Sequence, residues 1–406
     1  MSLSGYQAVD NIFLRPGVDL GYCLYPVSLM NRASGKQEVL YVTSDRELLS
    51  IDKRFGRCVL LNNGTSGTYV EPIGSTWTFN AVERYLNNAN VDIGGPQLIE
   101  QIVSHLKESV WLSHVEDFYL VAALIVLSYY QNLFSALPFF AIGGDPGSGK
   151  TTLASLVDAL SFNSMTMGRI TVPALARAAN GSGGIIVLDD AETIGKAFSP
   201  VNQLLKVGYR KQSSIYTISS RASIQSYDVF GIRIFSSIRP LDEVLGSRCI
   251  DLNMTKAAGV RLREPDYQAL HQIRQDLHTF AMSKWSLVRK RVLGAENTAC
   301  NRWSEITYPL TTIAKEIGSQ GQYEALTLSL GKRKASDNID DAIATIFDQH
   351  GGTVSSDTLA SELKGFGFNL SRIALGRLLK QGYRVTGRRQ KRRGPKSRIY
   401  ERIGGG

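Results

Sequence analysis

Residues Gly144-Asp145-Pro146-Gly147-Ser148-Gly149-Lys150-Thr151 confine this chain to a narrow set of folds. They match G-x-x-x-x-G-K-[ST] at every fixed position, and Thr152 follows. An apolar, β-prone run from Pro138 to Gly143 precedes them, and a helix-like run from Thr152 to Leu160 comes after. Strand, glycine-rich loop and helix in that order form the setting in which such a loop cradles phosphate. The glycines let backbone N–H groups turn into a phosphate-sized nest. Lys150 reaches the β- and γ-phosphates, the Thr151 hydroxyl sits on Mg²⁺, and the helix N-terminus adds partial positive charge. The expectation is nucleotide binding with Mg²⁺ by Gly144 through Thr152, on an α/β core.

A second run supplies acids. Ile185-Ile186-Val187-Leu188 reads as a buried parallel strand, and Asp189-Asp190-Ala191-Glu192 follow it. Such a strand delivers acids at its C-terminal edge. Asp189 is expected to hold the water shell of Mg²⁺, and Asp190 or Glu192 to orient and deprotonate the attacking water. Between the two motifs there is room for one strand (Met165 to Ile170) and one helix (Thr171 to Asn180), an order that suits AAA+ and related ring ATPases. The N-K-x-D motif with which GTPases read guanine is absent, which favours ATP.

Downstream, Gly231 to Ile238 reads as the next core strand, with Ser237 at the polar end where such ATPases sense the γ-phosphate, usually through Asn or Thr. Arg248 lies just before a last apolar strand, where AAA+ subunits present an arginine finger to a neighbour's nucleotide. Arginine suits that place because it is always charged and clamps phosphate bidentately, neutralising charge that develops at the transferred phosphoryl group. A finger at Arg248 makes the active site a shared one and the working form a homo-oligomeric ring, a hexamer.

With these residues in view, the run from Gly143 to Leu252 resembles the AAA+ helicases encoded by mobile genetic elements, among them the self-loading replicative helicases of staphylococcal cassettes, relatives of the MCM helicases. The likeness rests on Gly147-Ser148-Gly149-Lys150-Thr151-Thr152, Asp189-Asp190-Ala191-Glu192, Gly208-Tyr209-Arg210, Asp228-Val229-Phe230-Gly231 and Ser247-Arg248-Cys249-Ile250. Asp190 stands where the family has Glu, so the catalytic base stays open between Asp190 and Glu192. In MCM-like rings a hairpin before the sensor strand reaches into the central channel with a basic residue at its tip. Ser213 to Ile218 and Ile224 to Val229 read as its strands, and Arg221 in the turn matches the tip, with Lys206, Arg210 and Lys211 close in sequence. The resemblance thus implies single-stranded DNA in the ring, contacted by Arg221 with Arg210 and Lys211 nearby.

The charge is uneven. From Leu370 onward there are twelve Lys and Arg against one acid, Glu401, a net +11 in a chain of net +10, so the remainder carries about −1. Such asymmetry points to a polyanion-binding C-terminus. Ile339, Ile343 and Ile346-Phe347 give one helical face. Ser355 or Ser356 can cap a second helix with Leu359 and Leu363. A third helix from Leu370 carries Arg372, Arg377 and Lys380 on its outer face. Tyr383 to Thr386 and Ser397 to Tyr400 then bracket a basic loop with Arg388, Arg389, Lys391, Arg392, Arg393 and Lys396. That is the order of a winged helix, whose recognition helix enters a duplex groove while the wing touches phosphates.

Four scattered cysteines without a C-x-x-C pair read as reduced thiols, as in a cytoplasmic protein, and the opening ten residues hold no export signal. Phe118 to Gly144 carries no charge, but Gln131-Asn132, Ser135 and Pro138 interrupt it, so a buried helix feeding the first core strand is expected rather than a membrane span. The fold expected is α/β: a P-loop AAA+ ATPase core over residues 95–319, preceded by a β-rich N-terminal domain (1–94) without a catalytic constellation, and followed by a linker (320–336) and a C-terminal winged-helix domain (337–406). The function expected is an ATP-driven, ring-shaped DNA helicase acting in replication of a mobile element. The alternative is an AAA+ origin initiator or helicase loader that switches on ATP and binds duplex DNA without processive unwinding.

Overall fold

In this computed structural model the described residues are 12–55, 58–89, 93–168, 170–189, 199–219, 224–238, 241–257, 259–294, 301–336, 342–343, 346–347, 349–365, 375–376, 379, 383–389 and 397–402. They divide into two units, residues 1–326 and 327–406.

Alternating, β-branched and aromatic sequence opens the first unit as two four-stranded sheets. One orders β1 (Phe13–Leu14), β8 (Ser66–Tyr69), β7 (Cys58–Leu61) and β6 (Ile51–Phe55). The other is the meander β2 (Val18–Asp19), β3 (Cys23–Met30), β4 (Gln37–Thr43) and β5 (Leu48–Leu49). Leu14, Leu24, Tyr41, Val59 and Leu61 form a shared core. The turn expected at Asn62 to Thr65 joins β7 to β8, with the Gly64 amide bonded back to the Leu61 carbonyl at 2.9 Å.

These strands do not stand apart as a separate domain. Tyr25 of β3 meets Trp77, Phe162 and His278 edge-on at centroid distances of 5.3–5.7 Å. The Tyr25 hydroxyl donates to Asn163 Oδ1 at 2.9 Å, and Thr76 Oγ1 lies 2.8 Å from His278 Nε2. Arg289 Nε donates to both carboxylate oxygens of Asp19, at 2.8 and 3.0 Å. Buried aromatic surface and paired charges therefore bind the first ninety residues into the same unit as the helices far downstream.

Helix α1 (Phe79–Leu86) is followed by α2 (Gly95–Ser109), which has Gly94 at its N-cap and Pro96 in its first turn and buries Leu98, Ile99, Ile102, Val103 and Leu106, a stripe at helical spacing. Helix α3 (Glu116–Ser128) is buried on nearly every face. It ends at Ser128, and a 3₁₀ turn at Gln131–Leu133 follows. No helix among the described residues is long and apolar enough to cross a membrane.

The centre of the unit is a five-stranded sheet in which all strands run parallel. Its order is β10 (Met165–Met167), β11 (Ile186–Leu188), β14 (Arg233–Ser236), β9 (Phe139–Gly144) and β15 (Cys249–Met254). Around it lie α4 (Lys150–Leu160), α5 (Val172–Ser182, capped by Thr171), α6 (Pro200–Val207, capped by Ser199) and α7 (Glu243–Gly246, capped by Asp242). Between α6 and β14 the chain makes an antiparallel ribbon, β12 (Ile215–Ser219) with β13 (Ile224–Asp228). Two long helices, α8 (Tyr267–Gly294) and α9 (Arg302–Ile317), complete the unit.

Helix α10 (Gln320–Ser336) occupies the stretch read as a linker. Its first turns are anchored: Leu326 is fully buried, and the Gln322 amide donates to the Pro96 carbonyl at 2.9 Å and Glu100 Oε1 at 2.8 Å. The unit from 327 on is helical at 342–343, 346–347 and 349, then runs through β16 (Thr353–Ser355), α11 (Ser356–Gly365), β17 (Tyr383–Arg389) and β18 (Ser397–Arg402). The three strands pair antiparallel in the order β16, β18, β17. Ile343, Ile346, Phe347, Leu359 and Leu363 belong to one buried cluster, as their spacing predicts. Ser355 caps α11, its Oγ accepting the Thr358 N–H at 3.1 Å.

Candidate functional site

The parallel register brings three chain segments level at one edge of the sheet. Ser236 pairs with Ile142, and Leu188 pairs with Phe235, itself opposite Ala141. Asp189, Ser237 and the loop beginning at Gly143 therefore leave neighbouring strands side by side, at the C-terminal ends where open α/β sheets bind ligands.

The loop has the shape its glycines predict. Gly144, Gly147 and Gly149 have φ of 141°, 77° and 94°, in the region L side chains avoid. A Cβ on Gly144 would stand 2.3 Å from the Met254 carbonyl oxygen, so the loop passes too close to β15 for any side chain there. Lys150 is buried, and its Nζ donates to the carbonyls of Gly144 at 2.8 Å and Asp145 at 3.0 Å, holding the ammonium across the loop. Asp145, Pro146 and Gly147 form the exposed tip; Thr151 is exposed and Thr152 half-buried at the start of α4.

Two polar atoms there lack partners. Ser148 Oγ and Asp189 Oδ1 are buried with no hydrogen bond. A buried oxygen without a donor costs about 1–3 kcal/mol, so the arrangement is incomplete as it stands. The open glycine cradle, the buried ammonium and an unpartnered carboxylate oxygen at the end of β11, two strands over, fit a phosphate chain with a divalent cation. Thr151 and Asp189 are the oxygen donors suited to Mg²⁺.

Ser237 is buried, and its N–H donates to the Ile142 carbonyl at 3.1 Å, fixing it against β9. Arg248 is held elsewhere. Its guanidinium lies 4.9 Å from the Tyr209 ring centroid and donates to the Val244 carbonyl. Asp190 and Glu192 lie outside the described residues, as does Arg221 in the turn between β12 and β13. The two cations at the foot of that ribbon are engaged within the protein. Arg210 forms a bidentate pair with Glu305 at 2.6 and 2.7 Å. Lys211 turns its ammonium inward to the Asn132 carbonyl at 3.0 Å, and burial pushes its pKa down.

In the second unit Arg388 and Arg389 fall in β17, opposite Arg398 and Ser397 of β18. Arg372, Arg377, Lys380, Lys391, Arg392, Arg393 and Lys396 lie outside the described residues.

Several residues at this site do not stand out in the sequence. Arg15, 2% exposed, reaches the foot of the ribbon. Its Nη1 donates to the Asp228 carbonyl at 3.0 Å, its Nη2 to Asn132 Oδ1 at 3.0 Å and the Phe230 carbonyl at 3.2 Å, and it pairs with the Asp228 carboxylate at 3.3 Å. Asp228 Oδ1 also accepts from Ser214 Oγ at 2.7 Å and the Phe230 N–H at 3.0 Å. The Asp228-to-Gly231 motif is thus a clamp. Arg233, equally buried, donates to the carbonyls of Ile232 and Val229 at 2.8 and 2.6 Å; burial and the Arg15 charge push its pKa down to about 9. Lys256, just past β15, brings its Cε within 3.8 Å of where a Cβ on Gly147 would be, a second lysine beside the loop. Only the Asp228 spacing signals any of this; a lone arginine 213 residues from its partner leaves no trace in sequence. No protein-family model and no curated protein matches this chain.

Proposed function

We propose that this protein is an AAA+ ATPase that works as a ring on DNA, a helicase of the kind found on mobile elements. One observation carries the reading: the strand order β10-β11-β14-β9-β15, with the G-x-x-x-x-G-K-T loop after β9, Ser237 just past the adjacent β14, and Asp189 just past β11, one strand further in register. ATP is the substrate. The backbone of Gly144 to Gly149 and the Lys150 ammonium bind and orient its phosphates, and Ser237 aligns the terminal one. Mg²⁺, held by Thr151 and Asp189, supplies charge neutralisation at the phosphates. Asp190 or Glu192 orients the attacking water and takes its proton. Arg248 faces the nucleotide of the next copy in a homo-oligomeric, six-membered ring.

DNA enters at two places in this reading. Arg221, at the turn of the β12–β13 ribbon, meets the strand in the channel. The second unit is a winged helix whose Arg372, Arg377 and Lys380 face duplex, with Arg388 through Lys396 as its wing. Arg210 and Lys211 at the foot of the ribbon are the further cations offered to the strand in the channel; here Arg210 pairs with Glu305 and Lys211 with the Asn132 carbonyl. The test is displacement of a labelled strand from a forked duplex, with Lys150→Ala as control. The wild type unwinds with ATP, and the variant loses both hydrolysis and unwinding. ATP hydrolysis without strand displacement would point to the initiator or loader, and no hydrolysis would overturn the reading altogether.

A further inference from the structure

Tyr209 is 4% exposed, yet three guanidinium groups surround its ring. The Cζ atoms of Arg248 and Arg302 each lie 4.9 Å from the ring centroid, and that of Arg210 lies 5.3 Å away. The segment leading into β9 fixes the ring. Phe139 packs edge-on against it with centroids 6.5 Å apart, and the Leu137 N–H donates to the Tyr209 carbonyl at 2.9 Å. Two residues on, the Phe139 N–H donates to the Arg248 carbonyl, also at 2.9 Å. The platform and the arginine on it are therefore tied to one short segment, at the start of the strand that ends in the Gly144–Thr151 loop.

The charges at this ring do not balance. Glu305 is the carboxylate within the cluster; it takes Arg210 bidentately and stands 3.8 Å from Arg302. Nε of Arg248 and Nη1 of Arg302 are buried with no hydrogen-bond partner. Burial and the neighbouring Arg302 push the Arg248 pKa down. Two guanidinium groups side by side repel each other, and the Val244 carbonyl and the Tyr209 ring are what hold Arg248 against that repulsion. A π face beneath a desolvated cation attracts it and helps hold the side chain in place.

We infer that Tyr209 is a positioning residue: its ring holds Arg248, against the repulsion of Arg302, in the pose that meets the phosphates of a nucleotide bound to a second copy of this chain. The inference rests on the ATPase reading above. What it adds is a link from the strand carrying a subunit's own phosphate loop to the arginine it offers its neighbour.

The experiment compares ATPase kinetics of the full chain with Tyr209→Phe, Tyr209→Leu and Arg248→Ala. Phe keeps the ring and retains kcat within about twofold. Leu keeps apolar bulk without the ring and loses kcat roughly tenfold, as does Arg248→Ala, with KM within about threefold, because the cation–π support is absent. Since Tyr209 is buried and a leucine there can also unsettle the fold, a mixing arm is decisive. Lys150→Ala chains hydrolyse nothing themselves but carry an intact Tyr209 and Arg248. Mixed with Tyr209→Leu chains, whose own nucleotide loop is intact, they restore part of the lost activity. Full kcat in Tyr209→Leu, loss in Tyr209→Phe, or no recovery on mixing each overturns the role of Tyr209. A wild-type chain without ATPase activity instead overturns the reading on which it rests.

Discussion

Arg15 offers the sharpest quantitative test of the structure. Arg15→Met keeps much of the side-chain length and removes the charge. Three oxygens then lose their donor, the carbonyls of Asp228 and Phe230 and the Asn132 amide oxygen, and the Asp228 carboxylate loses its ion pair. Removing one partner of a buried pair costs about 3–5 kcal/mol. Asp228 is 16% exposed and keeps Ser214 Oγ and the Phe230 N–H, so the lower end applies, about 3 kcal/mol. At about 2 °C per kcal/mol for a large domain, Tm falls by roughly 6 °C. Arg15→Lys keeps the charge but not the fork, and about half the loss is expected. In a double-mutant cycle with Asp228→Asn the two changes couple by more than about 1 kcal/mol, because the second removes the charge that the first leaves stranded. Chemical denaturation followed by tryptophan fluorescence reads all four proteins. A loss below about 1 kcal/mol for Arg15→Met, or simple additivity, would refute the clamp.

Three further outcomes follow from the same structure. Gly144→Ala places a Cβ against the Met254 carbonyl and in a φ region alanine avoids; binding of a fluorescent ATP analogue weakens more than about tenfold, beyond the roughly 1 kcal/mol cost of strain alone. His278 is fully buried, and desolvation, with Arg274 adding to it, holds its pKa well below the usual range. The unfolded chain takes up a proton below about pH 6.5 that the fold refuses. Stability therefore drops by up to about 1.4 kcal/mol per pH unit below that point, with no such loss above it. Urea midpoints at pH 7 and 5.5 measure the slope, and His278→Gln flattens it. On the proposed winged-helix reading, replacing Lys391, Arg392 and Arg393 by alanine makes the dependence of duplex affinity on salt shallower, by up to about three units of log–log slope; an unchanged slope overturns that part of the reading.

The glycine-rich loop, its strand and the strand ending at Asp189 are legible in sequence because local rules dictate them: glycine where φ is positive, four apolar residues where a strand is buried on both faces, an acid where it ends. The stripe of α2 and the paired strands of the ribbon follow from periodicity in the same way. What sequence hides is long-range. The stretch 320–336, rich in Gln, Gly and Lys, reads as a linker, and it is the reach of Gln322 to α2 and the burial of Leu326 that hold its first turns as helix. The first ninety residues read as a separate domain because nothing in them announces that Tyr25 and Thr76 will meet His278, or Asp19 Arg289. Tyr209 has no periodic signature at all; its surroundings appear only when Arg248 and Arg302 from distant segments join the adjacent Arg210 around its ring.

Those long-range ties bear on how the chain comes to be folded. Asp19 waits for Arg289, 270 residues later, and Arg15 for Asp228. At a synthesis rate of about 5–20 residues per second, the N-terminal sheets spend tens of seconds without their final packing partners. High sequence separation slows folding further, since loop closure must precede the contacts that reward it. Until α8 is made, Tyr25 lacks His278 and Asp19 lacks Arg289, so the N-terminal segment is where newly made chains are most exposed to aggregation, and a truncation before α8 leaves those two partners missing permanently.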